Sequence, residues 1–312
     1  MQTPYSHLIL TGSISIDRIM NFGGKYKDLI QADKLHFLSL SVLIDNLSHS
    51  HGGTAANIAY SSALLGYKPI LLGSVGHDAH DYISDLAKLG IDTSHVFYSD
   101  LPTPTFTVLT DSDDNQIGGF YPGAMSDIQS LTLKPWYGKH PLVVISANDP
   151  TAMDRLVKEC IKNKLDYVYD VGQQVTNITV DQLKLGLSKA KILFVNDYEL
   201  GTILSRTLYS KSRLQSMIPI IVTTLGHKGS DINGVIVPAV KNLKVIDPTG
   251  AGDAYRAGFL HYYLQGQTLQ ACAELGSTVA TYTIDELRGT QTHHFTLADV
   301  IKKHYSAYGR NI

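Results

Sequence analysis

Cysteine is scarce in this 312-residue chain: Cys160 and Cys272 are the only two. Both fall in stretches of helical period, which suits reduced thiols packed as small hydrophobes and excludes a disulfide framework. A cytoplasmic address is the resulting expectation. Charge of either sign is also not in excess. The 26 basic and 28 acidic residues leave a formal charge of −2, and no run of Lys or Arg is long enough to track a phosphate backbone, so no nucleic-acid partner is expected. No apolar run approaches the ~20 residues that cross a bilayer, and the start "MQTPYSHLILTGSISID" has no basic segment leading into a long apolar one. Neither membrane insertion nor export is therefore expected. Internal repeats and low-complexity tracts are missing, which excludes a solenoid and a disordered linker. Neither Gly24-Lys25 nor Gly138-Lys139 is followed by Ser or Thr, and no G-x-G-x-x-G follows a strand-like run. A Walker A loop and a dinucleotide fingerprint are thus both excluded.

What the chain does have is alternation. The runs "HLILTG", "PILLGSVG", "PLVVISAN", "YVYDVG", "KILFVND" and "PIIVTTLG" read as buried strands, and between them 57–65, 82–89, 152–163 and 179–189 have the apolar spacing of helices. That order predicts an α/β fold with a parallel sheet covered on both faces, and polar residues at strand ends (Asn148, Asp149, Asp170, Asn196, Asp197, Thr223, Thr224) mark the side where a ligand gathers. Two regions break the pattern. The mixed stretch 17–46 contains "KLHFLSLSVLID", which tends toward strand alternation, and 103–121 reads as a hairpin, "TFTVLT", "DSDDN", "QIGGFY". Together they predict a small second sheet built from insertions.

Two glycine-rich segments stand out. In "DPTGAGDAYRAGF" the N–H groups of Gly250, Ala251 and Gly252 either cap a helix with Asp253 or converge on an anion, with Asp253 beside it as a base. In "HGGTAANIAYSSALLG" the small residues serve close helix packing, or Gly53 admits a hydroxylated ligand to the backbone and Asn57 supplies a donor and an acceptor.

Taken together, "GGTAAN" and "DPTGAGDAYRAGFL", some two hundred residues apart, with "GSISID" at the first strand end and "NDYE" between them, resemble the two signatures of the ribokinase (PfkB-type carbohydrate and nucleoside kinase) family across essentially the whole chain. "FYPGAMS", "ANDP", "GQQ", "LFVNDYE", "VTTLGHKG" and "GTQ" resemble its bacterial adenosine kinases. The resemblance implies a three-layer α/β/α core (1–15, 48–102 and 123–312) and a β-sheet lid (16–47 and 103–122). It also implies ATP- and Mg²⁺-dependent transfer to the 5′-hydroxyl of adenosine, giving AMP and ADP, or, in the alternative, to another nucleoside or a sugar of the ribose or fructose type. A non-catalytic binding protein on the same fold is the remaining reading.

Carried over by residue, Asp253 matches the family's base and 250–252 its anion hole. Asp17 matches the acid that accepts ribose hydroxyls, with Ser13, Gly53 and Asn57 completing that subsite; alone, Asp17 would read as a loop aspartate. Asn196 and Glu199 match the element that acts through water on Mg²⁺ and phosphate, although a capping box has the same spacing. Thr223 and Gly226 would approach the nucleotide, and 276–291 would flank adenine. Phe106 and Phe120 on the hairpin match aromatic contacts to an acceptor base, or simply pack the lid. Gln173 and Gln174 offer amides near the same pocket, or lie on the surface. Mg²⁺ is expected through phosphates and water and not through a dedicated protein ligand set. A monovalent cation such as K⁺ is implied around Asp247, Thr249 and Gly289, and a homodimer through the lid. His77 and His80 have metal-ligand spacing but no third ligand nearby.

Overall fold

Each residue of Leu142–Ser146 is buried, yet neighbours along the strand go to different places: Leu142 and Val144 join one hydrophobic cluster, Val143 and Ile145 another. The same division recurs at Leu8/Ile9, Val168/Tyr169, Phe194/Leu193 and Val222/Ile221. Side chains alternate across a strand, so an unbroken apolar run requires an apolar layer on both faces. In the computed structural model, which describes residues 4–30, 36–37, 39–113, 115–127, 131–241, 245, 248–284 and 290–310, those layers are helices.

The main sheet contains β1 (Leu8–Thr11), β4 (Ile70–Leu72), β9 (Leu142–Ser146), β10 (Asp166–Asp170), β11 (Ile192–Asn196), β12 (Ile220–Thr224), β13 (Ser230–Ile232) and β14 (Val235–Val237). Its order is β14-β13-β12-β11-β10-β9-β1-β4, parallel from β12 to β4 and antiparallel at the β13–β14 edge. One face carries α2 (Thr54–Leu64), α3 (His80–Lys88), α8 (Ala251–Leu264), α9 (Leu269–Ile284) and α10 (Leu297–Tyr308). The other carries α4 (Pro150–Asn163), α5 (Val180–Ser188), α6 (Asp197–Thr207) and α7 (Lys211–Met217). The three layers expected from the alternation are therefore present, and no helix among the described residues is long and apolar enough to cross a membrane.

A second sheet has the order β3-β2-β7-β8, from β2 (Ser15–Asn21), β3 (Asn46–Gly52), β7 (Thr105–Thr110) and β8 (Gln116–Tyr121), with the short α1 (Tyr26–Leu29) beside it; β5 (Ser74–Gly76) and β6 (Phe97–Ser99) form a separate pair. The hairpin β7–β8 lies where its turn residues predict. Asp111 closes it by accepting the N–H groups of Asp113 at 2.9 Å and Asn115 at 2.8 Å. The strand expected within 34–45 does not form among the described residues of that stretch; the strand is "NLSHSHG", which runs on past residue 47 to Gly52. Leu43 is 87% exposed and finds no apolar face, whereas the polar segment gains a full backbone ladder to β2, from Asn21↔Asn46 to Ser15↔Gly52.

Candidate active site

The head of α8 is set by its glycines. Gly250 is the N-cap at φ +78°, a left-handed conformation natural to glycine, and a Cβ there would meet the Thr290 methyl at 3.0 Å. Ala251 N–H donates to the Pro248 carbonyl at 3.2 Å. Of the three N–H groups expected to converge on an anion, that of Ala251 is therefore already bonded within the turn. Gly252 N–H and Asp253 N–H lie at the positive end of the helix and have no acceptor among the described residues.

Asp253 is brought against α2. Asn57 Nδ2 donates to its Oδ2 at 2.9 Å, across 196 residues of sequence. The amide of Asn57 is itself oriented: its Oδ1 accepts from Gln291 Nε2 at 2.9 Å, and the same Nε2 lies 2.6 Å from Tyr82 Oη, whose hydroxyl donates to the Gly52 carbonyl. The side chain of Asp253 is 15% exposed. Burial drives its pKa up from 3.8 to about 6, with the charges of Asp170 and Asp17 adding to the rise and Arg256 and the Asn57 bond opposing it. A carboxylate poised there is a serviceable base near neutral pH.

The glycine pair before α2 acts by fit. Gly52 leaves room for the Asp17 carboxylate, whose Oδ2 would lie 2.6 Å from an added Cβ. Gly53, at φ +97°, passes so close to the first strand's exit that a Cβ would sit 2.5 Å from the Ser13 carbonyl oxygen. Ser13 is buried and its hydroxyl accepts Thr54 N–H at 3.0 Å, anchoring the start of α2. Asp17 is the centre of one row across the small sheet: Ser50, Asp17, Phe106 and Phe120 are paired in register on successive strands and so share a face. A carboxylate and two aromatic rings are thus presented together, and Phe120 is 44% exposed.

Two cavities adjoin Gly252. The first, about 600 Å³ and mostly apolar, lies between the β12–β14 edge and α8–α9; Gly226, Val240, Ala251, Tyr255, Ala280 and Ile284 are among its lining. The second, about 460 Å³ and mostly polar, is lined by Asp170, Gln173, Asn196, Glu199, Asp253 and Arg256 among others; Thr224, Gly226 and Gly252 belong to both. A nucleotide with its base in the first would lead its phosphates into the second.

Several expected residues move on this map. Thr224 lines both cavities, whereas Thr223 is buried on the opposite side of the alternating strand. Gln173 lines the polar cavity; Gln174 does not, and accepts from Asn177 Nδ2 at 2.9 Å instead. Asn196 and Glu199 do form a capping box, with bonds of 2.7 and 2.9 Å, and also line the polar cavity. Burial and the neighbouring Asp170 raise the Glu199 pKa. Of 276–291, Ser277, Ala280, Thr281 and Ile284 line the apolar cavity, but Gln291 lies apart from it, bonded to Asn57. Asp247 and Gly289, expected around a monovalent cation, lie outside the described residues. Arg256 carries no assignment from sequence, although it occurs in a quoted motif, and Gln291 only that of the segment 276–291; nothing local distinguishes them from surface residues. Among the described residues no group of three or more His, Cys, Asp or Glu could hold a metal ion.

The pattern of the pfkB family carbohydrate kinases matches residues 16–293. A nucleoside kinase of Methanothermobacter thermautotrophicus is 32% identical over 288 residues, 90% of this chain and 93% of the relative. The crystal structure of Methanocaldococcus jannaschii nucleoside kinase, an archaeal member of the ribokinase family, superposes with a TM-score of 0.87 at 28% identity, covering 98% of this chain and 100% of the other. Burkholderia thailandensis nucleoside kinase in complex with inosine superposes with a TM-score of 0.85 at 28% identity, with the same coverage. With both glycine signatures and the ribokinase-like α/β fold, this chain belongs to the pfkB family of carbohydrate kinases.

Proposed function

We propose that the protein is a nucleoside kinase that transfers the γ-phosphoryl group of Mg·ATP to the 5′-hydroxyl of adenosine or a closely similar purine nucleoside, giving the nucleoside monophosphate and ADP. The observation that carries this reading is Asp253: a base poised near neutral pH that lines the polar cavity and is held by Asn57 of the helix that begins after Gly52 and Gly53. In this reading Asp17 accepts two ribose hydroxyls and fixes the acceptor. Asp253 takes the 5′-hydroxyl proton as the oxygen attacks, and Gly252 N–H and Asp253 N–H donate to the equatorial oxygens where charge develops. The donor set fits a metal reached indirectly, since Asn196 and Glu199 are already tied into the capping box. When bound, Mg²⁺ would neutralise charge on the β- and γ-phosphates.

The choice of a nucleoside over a free sugar rests on the row Asp17–Phe106–Phe120, an acid for ribose beside aromatic surface for a base. The nucleoside kinase names of the relatives and the inosine held by one of them favour the same class. We expect Phe106→Ala to raise KM for adenosine by about 10-fold with less effect on KM for ATP, consistent with ~1–3 kcal/mol per stacked base. Initial rates across adenosine, inosine, other nucleosides, ribose and fructose test this directly. Turnover with sugars alone would replace the nucleoside reading with a sugar-kinase one, and ligand binding with no turnover would favour a regulatory protein.

The small sheet, in its proposed role as lid, also offers a pairing edge. Every residue of β8 is exposed, including Ile117 and Tyr121. Its outer edge has no partner strand among the described residues, and an edge strand with exposed apolar side chains favours a second copy there. Sedimentation at twice the 34.2 kDa chain mass is expected; a species at the chain mass would remove the dimer from the reading.

A further inference from the structure

The polar cavity has one cationic side chain among its described lining residues, Arg256, facing the carboxyl groups of Asp170, Asp197, Glu199 and Asp253. Arg256 stands one turn beyond Asp253 on α8 and reaches back over the head of the helix. Its Nη2 donates to Asp170 Oδ1 at 2.5 Å. Its Nη1 lies 3.9 Å from Asp253 Oδ1, and it is the first atom a Cβ on Gly252 would meet, at 2.7 Å. The guanidinium is thus held against Gly252 and within reach of the Asp253 carboxylate at the head of the helix.

Bonding within this cluster is incomplete. Arg256 Nε and Asp170 Oδ2 are buried and have no hydrogen-bond partner among the described residues, although the Asp170 side chain is 1% exposed and that of Arg256 12%. A guanidinium has five donors in a planar fork, and leaving buried donors unmet costs free energy that a purely structural ion pair has no reason to carry. The fork matches a tetrahedral oxyanion as a lysine cannot. The cavity also needs such a group: an incoming triphosphate adds charge to a pocket already rich in carboxylates. Burial works against the charge on Arg256, but Asp170, Asp253 and Glu199 together hold it protonated throughout the working range.

We infer that Arg256 is a catalytic residue that contacts the transferring phosphoryl group. Asp170 holds the guanidinium through Nη2, and Nη1 donates to an equatorial oxygen beside the amides of Gly252 and Asp253. Arg256 remains protonated throughout; the phosphoryl group leaves the β-phosphate oxygen for the acceptor oxygen, whose proton goes to Asp253. This inference rests on the kinase reading, and its test separates the two.

The experiment compares binding of ADP and of the non-hydrolysable imidotriphosphate analogue of ATP, by calorimetry with Mg²⁺, in wild type and Arg256→Met, alongside steady-state kinetics. The expected result is an unchanged ADP affinity, a preference for the triphosphate analogue over ADP reduced about 10-fold, and a kcat reduced about 10²–10³-fold. Removing one partner of a buried pair leaves Asp170 unpaired, so the double variant Asp170→Asn/Arg256→Met, in which the Asp170 charge is removed together with its partner, is measured beside it and is expected to show the same loss of preference. An unchanged analogue-to-ADP ratio in both variants would overturn the inference and make Arg256 a structural counter-ion. If wild type phosphorylates no acceptor, the kinase reading fails on that assay, while the binding ratio still decides for or against the phosphoryl contact.

Discussion

Asp253→Asn is expected to lower kcat by about 10²–10⁴-fold while leaving KM for the nucleoside little changed, because it removes a proton acceptor and keeps the shape. The geometry makes the substitution a clean one. Asn57 Nδ2 donates to Asp253 Oδ2 at 2.9 Å, and an asparagine with its oxygen at that position accepts the same bond. The wild-type pH profile provides a second, independent readout. Burial holds the Asp253 pKa at about 6 in the free protein, and the carboxylate is the active form. Wild-type kcat/KM should therefore fall about tenfold per pH unit below that value, and the residual activity of the variant should lose this limb. A rate at pH 5 equal to that at pH 7.5 would remove Asp253 from the role of base.

Stability should move the other way. With a folded-state pKa of about 6 above the ordinary 3.8, the folded protein binds this proton more readily than the unfolded chain. The contribution of Asp253 to stability is accordingly lost as pH rises from about 4 to about 6, against the opposite contribution of the buried His261 and His293, whose pKa values burial lowers to about 4. The asparagine variant has no such loss, and at pH 7.5 it should melt at or above the wild-type temperature, since it also relieves repulsion from Asp170 and Asp17. A variant that was inactive and melted well below wild type would have failed by unfolding.

The second large effect is expected at Gly53→Ala. Its φ of +97° disfavours any side chain, and the new Cβ would lie 2.5 Å from the Ser13 carbonyl oxygen and 2.6 Å from Ile14 Cα. Those atoms are backbone at the exit of β1 and cannot rotate away. Strain and clash together should cost about 2–4 kcal/mol, which lowers Tm by about 3–6 °C in a chain of this length. Activity should fall further than stability, because Gly53 begins the helix that carries Asn57 and any relief moves Asn57 from Asp253. Gly201→Ala is the control: nothing lies within 4 Å of a Cβ there, the residue is inside α6, and alanine should be neutral or stabilising. Equal melting temperatures for Gly53→Ala and wild type would show that the β1–α2 junction yields more than its packing implies.

Much of the fold was legible because its signals are local. Strand runs such as "PLVVISAN" and "KILFVND" announce burial on both faces by having no polar alternation, and the hairpin at 105–121 is announced by its Asp/Asn turn. The strand Asn46–Gly52 was not legible, since "NLSHSHG" has no apolar pattern and is a strand only because β2 offers it a ladder. The site shows the same division. Asp253 and Asn57 stand in glycine motifs that mark them as candidates, whereas only the family resemblance separated Asp17 from a loop aspartate. Thr224 in place of Thr223 turned on which way one strand faces, and the withdrawal of Ala251 N–H turned on a single turn to Pro248.

What the sequence determined by itself is therefore the layer order, the two glycine-built helix starts and the acidic residues beside them, because periodicity and glycine's steric freedom act over a few neighbouring residues. What only the tertiary structure decided is which groups meet. Asn57 and Asp253 lie 196 positions apart, Gln291 reaches Asn57 across 234, and Arg256 reaches Asp170 across 86. Hydrogen bonds and charge interactions act over a few ångströms of space, so the orientation of Asn57, the raised pKa of Asp253 and the place of Arg256 come into being only when the sheet brings those helices together.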